Sequence, residues 1–334
     1  MRATRLFAFS LILFLLTTVS MTAIAVSSPG GGANGANRDL SYWTFSRVRN
    51  AQTRDFVYNP TSHQFDRSSR KQSTGEITGI PWTNGGQVEL ITGKVFFTMG
   101  ATDYVCSASV VEELLVDRSL VLTAAHCVYD ETNLRFARHW IFVPAYTQAP
   151  AAFDPDGEFC ASTQFGCWTA SALVVSNGYA FAGGFNDTAA LHDYAFAVLG
   201  NGGTQLDTVD DAVGSAPIAF SEYAADSDSW LFGYPAARQF KGSQLVYCRG
   251  ALGFDSYSEN STYRVPCKMT GGSSGGPWMS PFVADGSSAG NGTIFSLNSY
   301  GYRGISAMYG PKLNADTEAL YVVAATATEN TIVS

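Results

Sequence analysis

Leu120-Val121-Leu122-Thr123-Ala124-Ala125-His126-Cys127 closes an apolar, β-branched run with two small residues, an imidazole and a thiol. It follows a longer apolar stretch, residues 104–111, across a polar break at Val116-Asp117, and the two read as a β-hairpin. Pairing Val110 with Thr123 in antiparallel register sets Cys106 opposite Cys127, so the predicted hairpin and a predicted Cys106–Cys127 disulfide agree. That bridge fastens the residue next to His126, while Ala124 and Ala125 leave room for the ring to fold over the strand end. Fixing a histidine in one rotamer is what general-base chemistry requires. A lone histidine is more often a satisfied core residue, so the rest of the chain has to decide between the two readings.

Thr270-Gly271-Gly272-Ser273-Ser274-Gly275-Gly276-Pro277-Trp278 supplies the first companion. Four glycines surround two serines, which frees the backbone for conformations closed to other residues and for close approach of a ligand. Pro277-Trp278 after the glycines and Cys267 before them mark an ordered turn rather than a Gly/Ser linker. The second companion is Asp193, which opens the apolar strand 194–199, a setting suited to a buried carboxylate that orients an imidazole. Asp103 and Asp187 are the alternatives, but neither opens such a strand, and Asp187 lies inside the sequon Asn186-Asp187-Thr188.

The His126 segment with its upstream cysteine, the Ser274 loop and, more loosely, the Asp193 strand resemble the three catalytic segments of the trypsin-like (chymotrypsin-type) serine peptidases. The chain order His, Asp, Ser is that family's, whereas α/β-hydrolases run Ser, acid, His and subtilisins Asp, His, Ser. The resemblance implies an all-β fold of two packed six-stranded antiparallel barrels, to which good helix formers after Asn314 and Asp316 add a short C-terminal helix. It implies a triad of His126, Asp193 and Ser274 in the cleft between them. Ser274, directly before Gly-Gly-Pro, is the matching nucleophile, and the backbone N–H groups of Gly272 and Ser274 form the oxyanion hole. The implied activity is a serine endopeptidase working through an acyl-enzyme, with no cofactor, no metal, and proteins or peptides as substrates. A catalytically silent peptidase-fold binding protein and an esterase with the same triad are the rival readings.

The chain departs from the digestive members of that family, with Ser273 where they carry Asp and no Ile-Val-Gly-Gly start, so activation through a freed N-terminal amine is not expected. It is more similar to secreted bacterial trypsin-like and glutamyl endopeptidase-like enzymes, also in Gly233-Tyr234-Pro235. By the same resemblance Lys268 and Met269 lie at the base of the primary pocket, and residues 296–300, with Ser296 and Asn298, form a wall. No acid is evident at that base, which disfavours a preference for Arg or Lys. Lys268 favours an acidic side chain if it points inward and is merely solvated if it does not. Cys248–Cys267 beneath the nucleophile loop and Cys160–Cys167 in an insertion complete the expected disulfides.

Composition supports this frame. The 334 residues are 46% hydrophobic and 13% aromatic but only 14% charged, which excludes a disordered chain and favours strands. A net charge of -8 without a basic cluster excludes a phosphate-backbone partner. Residues 1–25, with Arg2 and Arg5 before an apolar run and Ala23-Ile24-Ala25 at the end, read as a secretory signal cut after Ala25, and hence an extracellular, disulfide-permissive protein without stable membrane insertion. Residues 26–85 are polar with little apolar periodicity and read as the pro-segment of a zymogen, disordered or removed, with Arg70-Lys71 as a candidate processing pair. The peptidase domain is then 86–334, with barrels at 86–205 and 216–334 joined by a polar linker at 201–216, one helix at 316–325, and a monomeric state.

Overall fold

The computed structural model describes residues 23–25, 33–68, 78–148, 158–236, 239–240, 242–286 and 288–334. The apolar run of the leader and the Arg70-Lys71 pair lie outside these residues. Strands dominate, as β-branched and aromatic runs punctuated by Gly, Asn and Asp dictate. Thr92–Met99, Thr102–Val111, Leu120–Thr123, Ala195–Leu199, Trp168–Ser176 and Arg138–Pro144 pair in that cyclic order, all antiparallel, and so close into a six-stranded barrel. All eight residues of Thr92–Met99 are buried, on the barrel interior and beneath covering elements alike.

The hairpin register differs from the predicted one. Val110 pairs with Val121, not Thr123, a slip of two that leaves every side chain on its expected face. The Cys106–Cys127 disulfide nevertheless forms, because the chain leaves the ladder at Thr123 and turns through Ala125–Cys127, which brings the two Cα atoms to 6.3 Å. Asp117 in the hairpin turn takes a left-handed φ of 64°.

The second half is built from two sheets. Gly292–Leu297, Pro277–Phe282, Asp228–Gly233, Val246–Ala251 and Ile80–Pro81 form a five-stranded sheet. Gly253–Phe254, Tyr263–Val265, Met308–Gly310, Tyr300–Tyr302, Asp55–Asn59 and Gln64–Ser68 form a six-stranded one. Two register shifts interrupt the ladder between Pro277–Phe282 and Gly292–Leu297, and such bulges bend and part a sheet. Three of these strands come from before residue 86.

Residues 33–68, which the polar sequence reads as lacking structure, thus form helices Ala33–Tyr42 and Phe45–Asn50 followed by strands. Their anchors are single aromatics, which leave no periodic signal. Trp43 is buried against Phe96 and donates its indole N–H to the His139 carbonyl at 2.6 Å, while Tyr42 stacks on the His139 ring. The linker at 201–216 carries a short helix, Val209–Val213, whose first residue is buried. The terminal helix, Ala315–Thr326, starts at Asn314, whose side chain accepts from the Asp316 and Thr317 amides in a capping box. Among the described residues no helix is long and apolar enough to cross a membrane.

Candidate active site

His126 sits in the turn that follows Leu120–Thr123, held by the adjacent disulfide and wholly buried. Asp193, also fully buried, grips it twice: Oδ1 accepts the His126 backbone N–H at 2.9 Å and Oδ2 lies 2.8 Å from Nδ1. With both carboxylate oxygens engaged, the ring is fixed in orientation and Nδ1–H is the tautomer that satisfies the pair. Ser299 donates its hydroxyl to Oδ2 of the same carboxylate. The rival acids are occupied elsewhere: Asp103 accepts from Tyr42, Thr98 and Arg47, and Asp187 begins the helix Asp187–Leu191. The sulfurs of Cys106 and Cys127 beside His126 are bonded to each other and are not thiolate ligands for a metal.

The glycine loop is docked onto the first barrel by its backbone. The Ser274 carbonyl accepts from Ser107 N at 2.7 Å, and Ser107 Oγ donates to the Gly272 carbonyl at 2.8 Å. Gly275, at φ +83°, lies so near the His126 segment that a Cβ there would come within 2.3 Å of Thr123 Oγ1 and 2.9 Å of the Ala124 nitrogen. Glycine is therefore required at this position both for its conformation and for its contact. This docking brings Ser274, Gly272 and His126 into one cleft although 146 residues separate Gly272 from His126 in the chain.

That cleft is occupied by residues 52–59. Gln52–Thr53 pairs in parallel with Thr102–Val111 on the first barrel, Asp55–Asn59 pairs in parallel with Tyr300–Tyr302 in the second half, and the chain crosses between them. At the crossing, Oδ1 of Asp55 accepts the Ser274 hydroxyl at 2.7 Å and the Gly272 N–H at 3.1 Å. Phe56 packs edge-on against the His126 ring at 5.4 Å and stacks on Phe185 at 3.9 Å. Ser274 is therefore bonded to Asp55 and not to His126, whose Nε2 is buried without a hydrogen-bond partner among the described residues. The Arg54 guanidinium is fully buried in an acidic recess beside the histidine. It donates to the His126 carbonyl at 2.7 Å and to Glu131 Oε2 at 2.8 Å, with Asp130 at 3.7 Å. Tyr179 donates to the same Glu131 oxygen at 3.0 Å. Burial works against the charged guanidinium, yet Glu131, Tyr179 and Asp130 together more than offset it and raise Arg54 above the ordinary arginine value. Burial, reinforced by Glu131, pushes the Tyr179 hydroxyl well up, so it stays a donor.

The expected pocket residues fall into two groups. Asn298 is buried and spent on the loop itself: its amide donates to the Phe232 and Ser273 carbonyls and its oxygen accepts the Trp278 indole N–H. Ser296 is likewise buried, with its hydroxyl given to the Pro311 carbonyl, and Met269 packs in the core beside Cys248 and Cys267. Lys268 is half-buried and donates to the Ile305 carbonyl at 3.1 Å, and burial lowers its ammonium below the ordinary lysine value. The disulfides Cys248–Cys267 and Cys160–Cys167 are formed as expected. Sequence reasoning missed Arg54, Asp55, Phe56 and Glu131. The signal for the first three was the short apolar run Phe56-Val57-Tyr58 in a segment otherwise polar.

The chain is similar to solved proteases. It is 36% identical to protease Anisep from Arthrobacter nicotinovorans, over 71% of this chain and 96% of that one, with a TM-score of 0.58. It is 38% identical to the thermostable serine protease AL20 from an extremophilic microorganism, over 72% and 99%, also at 0.58. A Glu endopeptidase solved with MPD shares the fold at 15% identity, over 77% and 100%, with a TM-score of 0.55. No family model and no curated protein matches the chain.

Proposed function

Because the chain belongs to the trypsin-like serine protease family, we propose that it is a secreted serine endopeptidase in which Ser274 is the nucleophile, His126 its general base and Asp193 the acid that orients the base. One observation carries the reading: a single carboxylate oxygen is held at once by the Ser274 hydroxyl and the Gly272 N–H. A site that binds an anionic oxygen beside the nucleophile is a site that stabilises the oxyanion of an acyl-transfer intermediate.

In the reaction, Ser274 Oγ attacks a peptide carbonyl carbon while His126 Nε2, the ring nitrogen left open by the Asp193 contact, takes its proton. The carbonyl oxygen moves into the position that Asp55 Oδ1 now fills, against the Gly272 N–H and, by the family resemblance, the Ser274 N–H. His126 then protonates the leaving amine, and water hydrolyses the acyl-enzyme by the same groups. Export fits the three disulfides, which persist in oxidising surroundings.

The test is fluorophosphonate labelling and casein hydrolysis by the chain before and after cleavage at Arg70-Lys71. We expect label on Ser274 and casein digestion after cleavage, and neither in Ser274→Ala. Casein digestion by Ser274→Ala at the parent rate sinks the assignment. A labelled chain that hydrolyses esters and leaves casein intact would identify an esterase, and a chain that takes no label a silent binding protein.

A further inference from the structure

We infer that residues 52–59 are a built-in inhibitor of this chain's own cleft, with Asp55 as the group that disarms the nucleophile and Arg54 as the group that anchors it. The inference rests on the serine-hydrolase reading above and names how that site is regulated.

Three features make the contact an inhibitor rather than a substrate waiting to be cut. First, the group presented to Ser274 is a side-chain carboxylate and not a main-chain carbonyl. Attack on its carbon would have to expel an oxide or hydroxide ion, so no acyl-enzyme forms and the chain is not cleaved there. Second, the same oxygen consumes the Gly272 N–H, so the donor that would lower the barrier for any other carbonyl is already in use. Third, the Ser274 proton points to Asp55 while Phe56 covers His126, leaving Nε2 with neither a hydroxyl nor another partner among the described residues. Nucleophile, oxyanion donor and base are thus separated by one dipeptide, Asp55-Phe56.

Affinity comes from the neighbours. Arg54 fills a recess whose walls, Glu131, Asp130, Tyr179 and the His126 carbonyl, all lie in the peptidase domain. Parallel strand pairing at Gln52–Thr53 and at Asp55–Asn59 ties both ends of the dipeptide to opposite sides of the cleft. Phe56 and Phe65 extend the cover through Phe185 and Tyr300. Arg54, Asp55 and Phe56 are all buried, as expected for a seated inhibitor and not for a passing tail.

The experiment uses the full chain and reads the rate of fluorophosphonate labelling at Ser274. The parent should label slowly. Asp55→Ala and the isosteric Asp55→Asn should each label at least 100-fold faster, with thermal unfolding still cooperative in both. A synthetic peptide of residues 51–59 should slow labelling of the Asp55→Ala chain, and the same peptide with Ala in place of its Asp should do so far less. Parent and variants labelling at equal rates would overturn the inhibitor while leaving the peptidase reading intact. No labelling of any of the three would bring down both. A faster variant that the parent peptide does not slow would overturn the inhibitor role, because the release would then come from a loosened fold.

Discussion

Arg54 and Glu131 offer the sharpest quantitative test of how the cleft is held shut. Both side chains are almost without solvent contact and they meet at 2.8 Å, so truncating either one strands the other's charge in the interior. Breaking such a buried pair costs about 3–5 kcal/mol, and because Glu131 keeps the Tyr179 hydrogen bond, the low end, about 3 kcal/mol, applies to Arg54→Ala. At about 1.4 kcal/mol per factor of ten, the open fraction of the precursor should rise roughly 100-fold. Labelling of Ser274 in the full chain reads that fraction directly. Glu131→Gln should accelerate labelling by a similar factor, because Arg54 is then the uncompensated charge. The double variant Arg54→Ala with Glu131→Gln should recover much of the loss, so that the two effects fail to add. If Arg54→Ala labels within twofold of the parent, or the double variant equals the sum of the single ones, the pair does not hold the segment and the reasoning is wrong.

Further outcomes follow from the contacts of Asp193 and Asp130. Asp193→Asn in an Asp55→Ala background should lower kcat by roughly 10⁴ with the fold intact, since the amide stabilises the wrong imidazole tautomer; peptide kinetics and circular dichroism check it. Ser299→Ala in the same background removes one hydrogen bond to the Asp193 carboxylate and should lower kcat roughly tenfold while leaving KM in place; an unchanged kcat argues that Ser299 is only a packing residue. Burial would raise Asp130, but hydrogen bonds from Asn133, the Arg54 charge and the Thr132 amide together bring it below the ordinary aspartate value of 3.8. Its contribution to stability is therefore present above that value and lost as pH falls through the lowered one. Urea melts of the precursor between pH 5 and 2 should show this slope, and Asp130→Asn should flatten it.

The sequence disclosed the groups proposed to react better than their surroundings. His126 and Ser274 were legible as candidates because acyl-transfer chemistry demands rare residue combinations in short stretches, and Asp193 because an acid at the head of an apolar strand is conspicuous. The hairpin register was not, since Cys127 lies past the end of the ladder and the disulfide constrains the pairing only through a turn. The added strands of the second half were hidden because they depend on where Asp55–Asn59 and Ile80–Pro81 join sheet edges far along the chain. Asp55 itself is one carboxylate among 28 acidic residues, and nothing local distinguishes it. Its role comes from strand addition that carries it across 219 residues to Ser274. Asn298 and Ser296 are expected in a pocket wall, but their polar atoms go to buried backbone carbonyls and, for Asn298, to the Trp278 indole as well, an allocation that residue type alone does not reveal.

The parallel pairing of Asp55–Asn59 with Tyr300–Tyr302 has a consequence for the activated protein. Once that guest strand departs, Tyr300–Tyr302 keeps its partner on one side only, and a row of amide and carbonyl groups faces the emptied groove. Unpaired strand edges recruit extended chains. Release from inhibition and acquisition of a rail for incoming polypeptide are in this molecule the same event.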